Sequence, residues 1–227
     1  TSVALNQAVN TFVELKKLKL SKNKCSKIHV GNNSKSCPEH KVHKEIMKVS
    51  EKEKYLGDFV TEKANSKDTI KDRILKGHAV YANMCSILND IPLGNRRTQA
   101  GILLRHALFL NGCLFNSEVW IGYSDQDLHA LDVIDHQILR LITGAQAKSP
   151  VEMLYLETAE LPVKSVISVR RLMYLQTILT RHKEELIHRV YSAMKDKPYK
   201  GDWIEKVEED LKTINMSLSM ESEIKQM

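Results

Sequence analysis

From residue 66 to about residue 215 the apolar residues recur every three or four positions, and Pro and Gly interrupt them at short intervals. That spacing commits two thirds of the chain to a set of packed helices. Ser66 and Asp68 are cap residues for a helix expected to reach about Asn89, with Ile70, Ile74, Val80, Met84 and Leu88 on its apolar side. Ile91-Pro92-Leu93-Gly94-Asn95 breaks it. The next run, Arg96 to about Trp120, is too evenly apolar for a surface helix and is expected at the centre. Ser124-Asp125-Gln126-Asp127 caps a helix ending at Gly144, and Ser149-Pro150 opens a short one with Pro in its first turn. Further helices are expected from Leu161-Pro162 to about Thr180, over 183–195, and over 202–214. The tail from Ser217 is weakly patterned and is expected to fray.

The first sixty residues read differently. Leu5, Val9, Phe12 and Val13 mark an amphipathic helix over 3–16. Ile28 and Val30 then alternate with polar neighbours, Gly31-Asn32-Asn33-Ser34 signals a loop, and Val42, Ile46 and Val49 mark the return. Tyr55 to Val60 reads as a third short strand with Gly57 as a bulge or a point of close approach. The fold class expected is therefore α+β and predominantly α: a small antiparallel β-sheet with one covering helix, followed by a multi-helix bundle. The expected divisions are 1–62, 63–215 and a frayed tail at 216–227.

Charge is unevenly spread. The chain carries +6 overall, and two basic blocks, 1–122 and 161–201, flank an acidic one at 123–160. A polyanion would be drawn to the basic blocks and repelled by the acidic one. Lys16, Lys17, Lys19, Lys22, Lys24 and Lys27 form a run broken by little acid, suited to phosphate contact or simply to a solvated face. Arg170 and Arg171 sit on a mostly apolar helix, where they either pair with acidic residues or hold a backbone phosphate. No apolar run reaches the ~18 residues of a membrane span, so no membrane partner is expected. Cys25, Cys37, Cys85 and Cys113 are too few for a disulfide scaffold. A reducing compartment, nucleus or cytoplasm, is expected.

The chain has no Walker-type loop, no G-x-S-x-G and no H-E-x-x-H, and its carboxylates are scattered on helical faces. Asp125 and Asp127 read as cap residues, and Asp132 with Asp135, three apart on one helix face, could hold a cation but read first as a solvated acidic face. The sharpest cluster is Cys25, His29, Cys37, His40 and His43 on the arms of one expected hairpin; two Cys and two His suit structural zinc, with His43, on the returning arm, preferred to His40 as the fourth ligand. A continuous strand would hold Cys25 and His29 about 13 Å apart, so both reach one ion only if the strand bends or starts later. The chain opens on Thr1 rather than Met, and is expected to be a piece of something longer.

Several local motifs occur in an order that resembles the later part of a reverse transcriptase from a non-LTR, LINE-type retrotransposon. They are Leu18-Lys19-Leu20-Ser21-Lys22-Asn23-Lys24-Cys25, Glu53-Lys54-Tyr55-Leu56-Gly57-Asp58, Leu114-Phe115-Asn116-Ser117-Glu118-Val119-Trp120, Leu139-Arg140-Leu141-Ile142-Thr143-Gly144, Thr158-Ala159-Glu160-Leu161-Pro162 and Arg170-Arg171-Leu172-Met173-Tyr174-Leu175. Phe115-Asn116 departs from the usual tyrosine–glycine of that family. The resemblance implies the end of a palm with a primer-grip strand at Lys54, Tyr55, Leu56 and Gly57, then a thumb and following helices. The implied ligand is an RNA–DNA or DNA primer–template duplex, with Lys24, Arg170 and Arg171 as further contacts and the remainder of the polymerase chain as partner. RNA-directed DNA synthesis, with its Mg ions, would belong to the part carrying the family's aspartate pair, and this chain alone is expected to be inactive. The alternative is a co-opted or remnant helical binding or scaffold protein without enzymatic function, with or without a stabilising zinc.

Overall fold

The computed structural model describes residues 2–17, 25–30, 41–42 and 45–226. The chain is α+β and predominantly α. It divides into two compact units, 1–66 and 67–227.

The first unit begins with α1 (Ser2–Leu15). Of its C-terminal half, Val13 is buried while Phe12 and Leu15 stay exposed. Among the described residues six short strands follow: β1 (Ser26–Lys27), β2 (Lys41–Val42), β3 (Glu45–Ile46), β4 (Lys48–Val49), β5 (Lys52–Tyr55) and β6 (Asp58–Thr61). They form three two-stranded pairs. β2–β3 and β5–β6 are antiparallel, but β1 and β4 run parallel, with Ser26 opposite Lys48 and Lys27 opposite Val49. The single strand expected from Tyr55 to Val60 is instead two strands and their turn.

The second unit starts with α2 (Lys67–Asn89). Helix α3 (Asn95–Leu104) runs without a break into a π-helical segment, Arg105–Leu110, and a last turn, α4 (Asn111–Cys113). A 3-10 turn at Ser117–Val119 leads to α5 (Asp125–Thr143), α6 (Val151–Thr158), α7 (Val163–Thr180), α8 (Leu186–Asp196), α9 (Trp203–Thr213) and α10 (Glu221–Ile224).

Caps fix several ends. Ser124 and Asp127 form a capping box at α5, and Gly144 closes the same helix at φ 72. The Asp202 carboxylate accepts from the Glu205 amide at the start of α9. Arg97 joins two helix ends. It donates to Leu88 O (2.7 Å) and Ile91 O (3.0 Å) after α2, and to Leu141 O (2.9 Å) near the end of α5. A guanidinium suits this place because the last carbonyls of each helix lack partners and carry partial negative charge.

The apolar side chains form two clusters. One joins α2, the α3–α4 run and α5 around Met84, Phe109, Leu131, Ile134 and Ile138. The other joins α8, α9 and α10 around Leu175, Trp203, Val207 and Leu211. Helix α7 serves both, giving Val163 and Ile167 to the first and Leu175 and Leu179 to the second. Close approach of α3 and α5 depends on Gly101, where a Cβ would lie 2.6 Å from Ile142 Cγ1. The tail does not fray as expected. Leu218 and Ile224 are buried in the second cluster, and Lys195 bonds Glu221 at 2.6 Å.

Candidate nucleic-acid interface

Strands β5 and β6 pair from Lys52 opposite Thr61 to Tyr55 opposite Asp58, which leaves Leu56 and Gly57 as a two-residue turn. Both have positive φ, 48° at Leu56 and 96° at Gly57. This is the sense of turn whose twist matches that of the strands, and Gly supplies its second position at no steric cost. A leucine in the first position is strained, since a bulky side chain disfavours positive φ. It gains little burial in return: Leu56 is 73% exposed and Tyr55 67% exposed.

Alternation along the strands sorts the side chains. Lys52, Lys54, Phe59 and Thr61 share one face, and Glu53, Tyr55, Asp58 and Val60 the other. On the first face the Lys52 and Lys54 ammonium groups lie 5.5 and 5.3 Å from the centre of the Phe59 ring. The aromatic ring thereby gathers two cations on one side of the hairpin. Two lysines on one face of a hairpin are chemically suited to sequence-independent contact with phosphate oxygens, and the exposed Tyr55–Leu56 tip is apolar. Lys52 and Phe59 were missing from the residues expected here. Their signal appears only once the hairpin register is known.

Other expected contacts fall elsewhere. Lys24 lies outside the described residues. Arg171 is buried, with its guanidinium bonded to Asp210 (2.5 Å) and Tyr123 Oη (2.6 Å). Arg170 is half-buried and donates to Leu114 O (2.5 Å) and Leu110 O (3.1 Å), tying α7 to the end of α4. Both arginines are spent inside the fold, so neither is placed to hold a phosphate. Burial lowers the pKa of Arg170, opposed by the Glu118 carboxylate.

Of the proposed zinc ligands, Cys37, His40 and His43 lie outside the described residues. Cys25 and His29 are half-buried, and Cys25 is a free thiol. The strand between them, β1, is only two residues long, so the full extension that would separate them is not imposed on 25–29. No group of three or more metal-ligating side chains occurs among the described residues.

The Asp132–Asp135 face is not the solvated surface expected. Asp135 is fully buried and grips Arg105 at 2.7 and 2.9 Å through both of its oxygens. Arg105 also reaches Glu160 at 2.5 Å, and Glu160 bonds His106 Nε2 at 2.7 Å. Tyr155 donates to Asp135 at 3.2 Å. Burial and the Asp135 charge push the tyrosine pKa up, and burial raises Asp132 and lowers His136. For Arg105, burial works downward, but the hydrogen bond and charge of Asp135 outweigh it. The signal was present in the sequence as a single Arg inside the apolar run Leu103–Leu110. Such a buried guanidinium needs carboxylates, and here they come from the acidic block.

Among the described residues no helix is long and apolar enough to cross a membrane. No protein-family model, curated protein or solved structure matches the chain.

Proposed function

We propose that this chain is the duplex-holding part of a retrotransposon RNA-directed DNA polymerase, comprising the palm end with its primer grip, the thumb and the helices after it. The observation that carries the reading is the β5–β6 hairpin. The residues that resemble a primer grip form an exposed tip, Tyr55-Leu56-Gly57, beside a basic face built by Lys52, Lys54 and Phe59. The work of this part is positioning. The lysines meet phosphates, and the tip approaches the primer end, where Gly57 lets the main chain come close. An RNA–DNA hybrid suits such contacts because it is recognised by shape and backbone. Bond-making, with two divalent cations, belongs to a part of the enzyme bearing the family's aspartate pair.

A second observation supports the same reading. Asn116 stands where the resembling motif has Gly, and it adopts φ 60, ψ 18. That conformation explains why glycine would occupy the position, and asparagine is the side chain that tolerates it best.

The test uses Leu56→Asn. An Asn-Gly turn is the preferred sequence for this hairpin, so the variant is expected to melt at the same temperature or higher. It is also expected to bind a recessed primer–template end at least about threefold more weakly, with Lys52→Ala and Lys54→Ala each lowering the salt dependence by about one phosphate contact. Unchanged duplex affinity in all three variants, or a flat salt response of the parent chain, overturns the proposal. The alternative, a helical scaffold without a polymerase role, draws support from Arg170 and Arg171, both tied up inside the fold. It predicts no duplex binding at all.

A further inference from the structure

The link between α5 and α6 gathers two cations that lack an anion. The acidic block 123–160 holds seven carboxylates and only two Lys or Arg residues, Arg140 and Lys148. Among the described residues neither forms an ion pair with any carboxylate. Both stand beside Ser149. Lys148 precedes it in the chain and is exposed. Arg140, in the last turn of α5, is half-buried and donates from Nη2 to the Ser149 carbonyl at 3.2 Å. Its Nε is buried and has no hydrogen-bond partner. By contrast, Arg105 and Arg171 have carboxylates, and Arg97 has the carbonyls of Leu88, Ile91 and Leu141. A half-buried guanidinium with five N–H donors and one carbonyl is under-bonded, and an anion is the partner it binds most strongly.

Ser149 is placed to carry that anion. Its hydroxyl makes no hydrogen bond among the described residues, and its neighbours Gln146, Ala147, Lys148 and Pro150 are exposed. The segment lies outside any helix or strand, where a modifying enzyme reaches a folded chain most easily. Of the five prolines in the chain, Pro150 alone follows a Ser or Thr. It is extended, at φ −56, ψ 137. A serine followed by an extended proline in an accessible loop is the pattern that proline-directed protein kinases read.

We propose that Ser149 is a phosphorylation site for a proline-directed protein kinase, and that its phosphate pairs with Arg140 and Lys148. Ser149 Oγ takes the γ-phosphoryl group of MgATP. The Oγ–P bond forms, the bond from that phosphorus to the bridging oxygen of the β-phosphate breaks, ADP leaves, and the hydroxyl proton passes to the kinase's base. The new oxygens supply the acceptors that the two cations lack, and so fix the link between α5 and α6. Glu152, the nearest carboxylate along the chain, is exposed, so water and salt screen its repulsion.

The full chain incubated with a proline-directed kinase and MgATP tests this, with a short Ser-Pro peptide confirming that the kinase is active. Intact mass is expected to rise by one phosphate, and Ser149→Ala to abolish the rise. Pro150→Ala keeps the hydroxyl and should slow uptake at least about tenfold. Phosphorylation should raise the melting temperature by about 2–4 °C. Arg140→Gln should take up phosphate as fast as the parent and gain less than about half of that rise. A folded parent chain that takes up no phosphate overturns the proposal. So does uptake that survives Ser149→Ala or is undiminished in Pro150→Ala. A melting temperature unchanged by phosphorylation, or raised equally in Arg140→Gln, overturns it as well.

Discussion

Asn116 shows how one backbone angle constrains one residue. It sits at φ 60 between the end of α4 and the turn that carries Ser117, whose side chain is fully buried. Replacing it with Ala should cost about 1 kcal/mol more than replacing it with Gly, because only the alanine pays for the left-handed conformation. Urea denaturation of the two variants measures the difference, and equal losses would mean the angle does not matter. Cys113 makes a pH-dependent case. Burial pushes its thiol up from 9.0 to about 11, against the charges of Arg73 and Lys76. Below about pH 9 both folded and unfolded chains keep the proton, and the contribution to stability is whole. Between that pH and about 11 the unfolded chain loses its proton first, and the contribution falls away. The stability advantage of the parent over Cys113→Ala should therefore shrink across this window, by on the order of 1–2 kcal/mol. An advantage constant with pH would contradict the buried thiol.

At the scale of elements, the sequence was readable wherever period and cap agreed. The Ser124/Asp127 start and Gly144 stop of α5 are both present, and α2 begins and ends within a residue or two of its expected limits. Helix α9 follows Asp202 as its capping residue does elsewhere. What was not legible depended on partners distant in the chain. The β5–β6 turn escaped because Leu-Gly is not the Asn-Gly signal of a tight hairpin, and the run Tyr55–Val60 passes for one strand. The parallel β1–β4 pair is two residues long, too short for any periodicity to register. The tail was misjudged for a related reason: Leu218 and Ile224 are isolated apolar residues in the sequence, and only the floor provided by α7 and α9 gives them a place. Ile224→Ala should consequently cost about 2–4 kcal/mol, as for other fully buried aliphatic residues, where a frayed tail would lose nothing. Thermal melting of this variant decides between the two.

At the scale of the molecule, the division at Ser66–Lys67 separates two kinds of structure. The second unit contains both apolar clusters, and its buried charges find their partners within it: Arg105 with Asp135 and Glu160, and Arg171 with Asp210. Residues 67–227 expressed alone should fold, with cooperative melting and strongly helical circular dichroism. A fragment with a broad, non-cooperative melt would show that the unit depends on the residues before it. The charge blocks of the sequence acquire a meaning here that net charge does not suggest. Part of the basic charge faces inward, but Arg105 and Arg171 take with them the carboxylates of Asp135, Glu160 and Asp210, so this pairing leaves the net positive charge of the surface undiminished. The candidate interface was legible as a motif, Lys54-Tyr55-Leu56-Gly57, but its shape required the hairpin register.

The π-helical segment Arg105–Leu110 has one further consequence. The amide of Asn111 bonds the carbonyl of His106, five residues back, where an α-helix would reach only four. The segment therefore holds one residue more than a plain helix needs to join the same two ends. Its gain is to turn Arg105 inward towards Asp135 while Phe109 and Cys113 keep their places in the core. In a related chain without that buried pair the extra residue would have no purpose. An alignment of the two should then open a gap of a single position here, inside a helix, where gaps are ordinarily penalised most.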